Sequence, residues 1–161
     1  MAKTTRILIP SDFTVDSLEF VRQSIEESVA EQIDIILVYG NKSSSSASEL
    51  LGIGLDDQLD MLQSESFLNA CRVLYQLYQD RHLNIFADIL CTDNKNYLRH
   101  YLRGQAVDEI RIPCNYNYKK KTRHFFNVAE AFRNLGGQIR STILFSDKGD
   151  PSHHKMALTN G

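Results

Sequence analysis

Short unbroken apolar runs alternate with longer segments in which apolar residues return every three or four positions, and this alternation organises the chain. Arg6-Ile7-Leu8-Ile9-Pro10 is a compact run of strand character, and the polar stretch from Asp12 to Ser17 then offers groups suited to capping a helix. Within Asp16 to Gln32, Leu18, Val21, Ile25 and Val29 recur at helical spacing, while Glu19, Arg22, Glu26 and Glu27 fall elsewhere on the wheel. One face of that helix is predicted to pack on a sheet. Ile35-Ile36-Leu37-Val38-Tyr39 is continuously β-branched or apolar, the pattern of a strand buried on both faces, as in parallel sheets.

Beyond Gly40 the pattern dissolves into a serine run, and residues 41–49 are expected to form a mobile loop. Leu55, Leu59 and Leu62 mark a short amphipathic piece. Phe67, Ala70, Cys71, Leu74, Leu77 and Tyr78 then form the stripe of a long helix starting near Ser66. Asn84 to Cys91 reads as a third strand, Asn96 to Gln105 as a shorter helix and Asp108 to Pro113 as a fourth strand. A last helix carries Phe125, Val128, Ala129 and Phe132 and stops at Gly136-Gly137, after which Thr142-Ile143-Leu144-Phe145 reads as strand five. Right-handed crossovers through these helices lead to an α/β fold, an open five-stranded parallel sheet with helices on both faces. Residues 1–148 form one domain on this reading, and 149–161 a disordered tail. Arg111, between Ile110 and Ile112, interrupts a strand that should be central, so it is expected to reach a carboxylate or the end of the sheet.

A length of 161 residues suits one core, and 42% hydrophobic with 24% charged residues is an ordinary globular mixture. The net charge of −2 excludes a general attraction to nucleic acid or anionic membranes. No apolar run approaches the roughly 20 residues of a membrane helix. Pro10 and Asp12 interrupt the run after the basic start, so no signal-peptide core forms and a cytoplasmic location is expected. Cys71, Cys91 and Cys114 are widely spaced and adjoin apolar segments, which fits small buried hydrophobes better than disulfides or a zinc site. His82, His100, His124, His153 and His154 are scattered, with no metal-ligand spacing. Gly52-Ile53-Gly54 follows a serine run rather than a strand, and Ser11 lacks the Gly-x-Ser-x-Gly elbow of hydrolases.

Arg6-Ile7-Leu8-Ile9-Pro10-Ser11-Asp12-Phe13-Thr14 resembles the opening strand and loop of the universal stress proteins, which often read apolar run, Pro, x, Asp, Phe, Ser. Asn127-Val128-Ala129-Glu130 resembles the start of that family's last helix, and Asp108-Glu109-Ile110 the start of its fourth strand, so the similarity spans roughly residues 5 to 146. The resemblance implies the fold that the family shares with the adenine-nucleotide α-hydrolases, and a homodimer in which Thr142, Ile143, Leu144 and Phe145 of two copies pair. ATP-binding members carry Gly-x2-Gly-x9-Gly followed by Ser, Thr or Asn, where backbone amides cradle phosphates. The same spacing here falls on Pro113, Tyr116, Phe126 and Asn127, so all three glycines are replaced and only Asn127 fits. The resemblance is therefore to members that bind no nucleotide tightly.

Asp12, at the C-terminal end of strand one, stands where open α/β sheets bind ligands and where nucleotide-binding relatives hold adenosine; its plainer reading is a turn or capping aspartate. Lys119, Lys120, Lys121 and Arg123 stand where the glycine loop should be, so cationic side chains could hold a phosphate, nucleotide or other anion with Asp12 and Asn127; the plainer reading is a solvated basic run. Tyr116 and Tyr118 could stack on bases, but strand-end tyrosines commonly cover a core edge, and nucleic acid is not expected as a partner. The expected function is a non-catalytic regulatory or protein-interaction domain, dimeric, with a degenerate nucleotide site and no cofactor. The alternatives are a nucleotide or anion sensor using the basic loop, and a slow nucleotide hydrolase, for which no metal or base is identifiable in the sequence.

Overall fold

The computed structural model describes residues 3–42, 54–137 and 140–145. Five strands, β1 (Thr4–Pro10), β2 (Gln32–Gly40), β3 (His82–Leu90), β4 (Glu109–Cys114) and β5 (Arg140–Phe145), form one sheet in the order β3-β2-β1-β4-β5. Every pairing is parallel, with Ile7 opposite Ile35 and Ile35 opposite Ile85. The connections are α1 (Leu18–Glu27), α2 (Leu55–Leu62), α3 (Glu65–Leu77), α4 (Lys95–Gly104) and α5 (Val128–Arg133). The α/β architecture with a parallel sheet is thus the one the alternating pattern predicts.

Strand periodicity sorts the core into two layers. Ile7, Ile9, Ile33, Ile35, Leu37 and Tyr39 face α1 to α3, where Val21, Ile25, Phe67 and Leu74 cover them. Leu8, Ile36, Val38, Ile110 and Ile112 face the other way, against Leu98 and Leu102 of α4 and Val128, Ala129 and Phe132 of α5. Side-chain caps start three of the helices: Ser64, Asn94 and Asn127 each accept an amide three residues on. The cap at Asn127 starts α5 at Val128, so Phe125, expected on that helix, lies before it and bridges to Asn41 instead. Gly136 and Gly137 have φ of 66° and 113°, the left-handed backbone expected beyond α5.

Several positions differ from the sequence expectation. Val29 is 92% exposed because α1 ends at Glu27, where the Arg81 guanidinium takes the carbonyls of Ile25, Ser28 and Ala30. Leu77, at the end of the α3 stripe, is also exposed. Cys91 is exposed because β3 stops at Leu90, and Cys71 and Cys114 are only half-buried, so none of the three is a fully buried hydrophobe. Arg111 faces α1 rather than α4, and its guanidinium meets Glu27 at the end of α1, with Glu109 Oε1 3.4 Å from Nε. The expected carboxylate is therefore present. The serine loop lies outside the described residues apart from Asn41 and Lys42, as does the 149–161 tail with His153 and His154. Among the described residues no helix is long and apolar enough to cross a membrane.

Candidate functional site

Strand order reverses between β1 and β4, and the crevice at their C-terminal ends is where an open α/β sheet receives a ligand. Asp12 lies there, directly after β1, and is fully buried. Its carboxylate accepts the Thr14 hydroxyl at 2.7 Å, the Tyr116 hydroxyl at 2.9 Å and the Lys119 amide at 2.8 Å. A carboxylate buried with three donors is satisfied by its own chain. Burial, with the Asp12 charge adding to it and the Thr14 hydrogen bond opposing, pushes the Tyr116 hydroxyl well above the usual tyrosine range, so it stays protonated and donates.

The segment that carries these donors runs back over the strand ends. The amides of Lys121 and Thr122 both donate to the Tyr39 hydroxyl, at 3.1 and 3.0 Å, and the Thr122 hydroxyl donates to Asn41 Oδ1. Farther on, Phe125 bridges antiparallel to Asn41, the Lys42 amide donates to the His124 carbonyl and the Phe126 amide to the Gly40 carbonyl. The approach at Gly40 is close: a Cβ there would lie 2.5 Å from the Phe126 carbonyl oxygen and 2.7 Å from Val128 Cγ2. Only glycine leaves room for this backbone crossing.

Aromatic rings fill the space beneath. Phe20 meets Tyr116 edge-on at 5.4 Å, Tyr116 meets Tyr118 at 4.9 Å, Tyr118 lies 6.4 Å from Phe125, and Phe125 lies 5.5 Å from Tyr39. The Tyr118 hydroxyl is buried without a hydrogen-bond partner among the described residues. Phe13 and Asn115, which follow Asp12 and β4, have φ of 54° and 55°. Left-handed backbone at a residue as bulky as Phe13 costs of order 1–3 kcal/mol. Its fully buried ring, packed between Tyr39 and Phe67, holds it there.

The six residues singled out from sequence do not converge on one point. Asp12, the Lys119 backbone and Lys121 come together. The Lys121 ammonium turns inward and donates to the Phe13 and Leu62 carbonyls, each at 2.8 Å. Burial lowers its pKa, with the Asp12 charge opposing. Lys120 and Arg123 are exposed, and Asn127 caps α5 through the Glu130 amide at 3.1 Å. A depression of about 550 Å³ beside the crevice is lined by Thr14, Ser64, Tyr116, Asn117, Lys119 and Lys121, with Asp16 on its wall. Tyr39 and Gly40 matter as much as the basic run, yet sequence reasoning took them only as the end of a buried strand. Their sole sequence signal is a strand that ends on a polar-tipped ring followed by glycine.

No protein-family model matches the chain, and no curated protein does. Solved structures do match. The universal stress protein UspA from Lactobacillus plantarum aligns at a TM-score of 0.54 and 12% identity, over 91% of this chain and 99% of that one. The fold is that of a universal stress protein. The hypothetical protein MJ0577 aligns at a TM-score of 0.50 and 13% identity, over 90% of this chain and 98% of its own. The likeness in fold thus covers about nine-tenths of the chain, 90% and 91% in the two comparisons, and takes in the Arg6 to Thr14 and Asn127 to Glu130 motifs. At these identities the likeness establishes the fold and leaves the chemistry to the residues of the crevice.

Proposed function

We propose that this chain is a non-catalytic regulatory or protein-interaction domain on the universal-stress-protein fold, cytoplasmic, dimeric through β5, with a nucleotide crevice closed by its own 115–126 segment. One observation carries the reading: Asp12, which stands where relatives hold adenosine, is fully buried and already accepts Thr14, Tyr116 and Lys119. A nucleotide would have to displace these donors and the rings that pack with them. The three glycines of the family's phosphate loop are replaced here by Pro113, Tyr116 and Phe126, and the Phe126 carbonyl presses on Gly40. Among the described residues β5 ends the strand order, and an edge strand favours pairing with a second copy.

A thermal-shift titration with ATP, ADP, AMP and inorganic phosphate, with and without magnesium, tests the closed crevice. No change in melting temperature is expected, and a saturable rise with any of them overturns it. Sedimentation equilibrium tests the dimer, and a strictly monomeric protein removes it. The depression flanked by Lys119 and Lys121 favours a second reading, a nucleotide or anion sensor. That reading requires the same titration to give a rise that Lys119→Glu abolishes.

A further inference from the structure

The fold divides the basic run at 119–123. Lys119, Lys120 and Arg123 stand in solvent, whereas Lys121 is half-buried and turned under the segment that closes the crevice. Its nitrogen holds the carbonyls of Phe13 and Leu62, each at 2.8 Å. Leu62 is the last residue of α2, so its carbonyl has no acceptor role within that helix, and a cation suits a helix C-terminus. Phe13 follows Asp12 in the turn after β1. One side chain thus ties the 115–126 segment to α2 and to the β1 turn at once.

A lysine nitrogen has four tetrahedral directions. Cε takes one and the two N–H groups that hold the carbonyls take two more, so the fourth carries the third proton of the ammonium or the lone pair of the free amine. Lys121 lines the depression of about 550 Å³ with Thr14, Ser64, Asn117 and Lys119, and the fourth direction is the one left to open onto it. The free amine therefore keeps both carbonyl bonds while its lone pair meets space that a small molecule can enter. Burial lowers the Lys121 pKa, against the Asp12 charge and with the Lys119 charge. A lysine partly desolvated and next to another cation is the form of this residue that reacts as a nucleophile.

We infer that Lys121 is a site of acylation by small activated acyl donors, and that its modification releases the 115–126 segment from the crevice. The lone pair attacks the acyl carbon, and a C–N bond forms as the bond to the leaving group breaks. The leaving group departs with that electron pair, and the nitrogen gives one proton to water. The product amide has a single N–H, so either the Phe13 or the Leu62 carbonyl loses its donor, and the cation at the end of α2 is gone. The shared chemistry of the donor is an activated acyl group, carried on phosphate or on sulfur. A brief encounter suffices for transfer, so no saturable phosphate site is required. Only the cover of the 115–126 segment over the crevice is shared with the proposed function, and the two fail separately. A nucleotide-induced rise in melting temperature would overturn the closed crevice and leave the acylation rates untouched.

The full chain is treated with acetyl phosphate and, separately, with the acetyl thioester of N-acetylcysteamine, and acetyl-lysine is followed at each position by peptide mass spectrometry. Lys121 is expected to react about tenfold faster than Lys119 and Lys120, its neighbours in sequence, and the preference is expected to vanish in denaturing guanidinium. Whichever reagent gives the larger preference names the source of the acyl group. Reaction at Lys121 no faster than at Lys119 and Lys120 overturns the site. A preference that survives unfolding overturns it too, since it would come from the local sequence alone. Lys121→Arg keeps a cation with donors for the two carbonyls and cannot be acylated in this way, so the fast phase should disappear from the intact mass. A fast phase that persists in this variant also overturns the site. In protein acetylated at Lys121, hydrogen exchange of the Lys119 amide, which donates to Asp12, and of the Lys121 and Thr122 amides, which donate to Tyr39, is expected to quicken about tenfold. Exchange as slow as in untreated protein overturns the release.

Discussion

Gly40→Ala probes the crossing that closes the crevice. The added Cβ would meet the Phe126 carbonyl oxygen at 2.5 Å and Val128 Cγ2 at 2.7 Å, and the first of these is backbone, which cannot rotate away. Forcing a methyl into a packed contact costs about 1–3 kcal/mol. Displacing the 122–126 strip also loses the hydrogen bond from the Phe126 amide to the Gly40 carbonyl, about 1 kcal/mol net. Replacing glycine in a strand returns roughly 0.4–1 kcal/mol through the unfolded chain. The balance is a destabilisation of about 2 kcal/mol, which for a chain of this length lowers the melting temperature by about 4–8 °C. Calorimetry measures the shift, and hydrogen exchange at the Lys42 and Phe126 amides should quicken with it. An unchanged or higher melting temperature would mean that the 122–126 strip does not rest on Gly40, and the closed crevice would fall with it.

Three further outcomes follow from the same contacts. Asp12→Ala leaves the Thr14 and Tyr116 hydroxyls and the Lys119 amide without their acceptor, and about 3 kcal/mol of stability should be lost in urea unfolding; a loss under 1 kcal/mol would show that the latch is not tight. Arg111→Met removes the cation shared by half-exposed Glu27 and buried Glu109 and should cost about 1–3 kcal/mol, whereas a neutral result would mean that Glu109 does not depend on that cation. Stability should also fall between pH 9 and pH 11. Burial pushes the Cys71 thiol up to about 11 and, with Cys91 and Asp88 adding to it, the Tyr97 hydroxyl up to about 12. A group whose folded pKa is raised keeps its full contribution below its unfolded pKa and loses it as pH climbs toward the folded value. Lys121, whose pKa is lowered, acts in the opposite sense, so stability rising through this window would mean that it dominates.

The sequence by itself determined the order of elements and the two-layer core. Ile35 to Tyr39 reads as a strand buried on both faces because its apolar run is unbroken, and the stripe through Phe67, Cys71 and Leu74 reads as a helix because its period is 3.6. Both signals are local, so they survive without knowledge of what packs against them. It also exposed the missing glycines at Pro113, Tyr116 and Phe126, since glycine's freedom is a property of one residue. The tertiary structure alone decided what replaces the lost phosphate loop. The contacts of Asp12 with Tyr116 and Lys119, and of Gly40 with Phe126, join residues more than 80 positions apart, and no periodicity encodes which partner a long-range group finds. The same holds for the basic run, whose composition reads as an anion site. Burial turns Lys121 inward to two carbonyls while Lys120 and Arg123 stay in solvent. A charged side chain's role depends on which atoms surround it, and only the folded chain brings those atoms together.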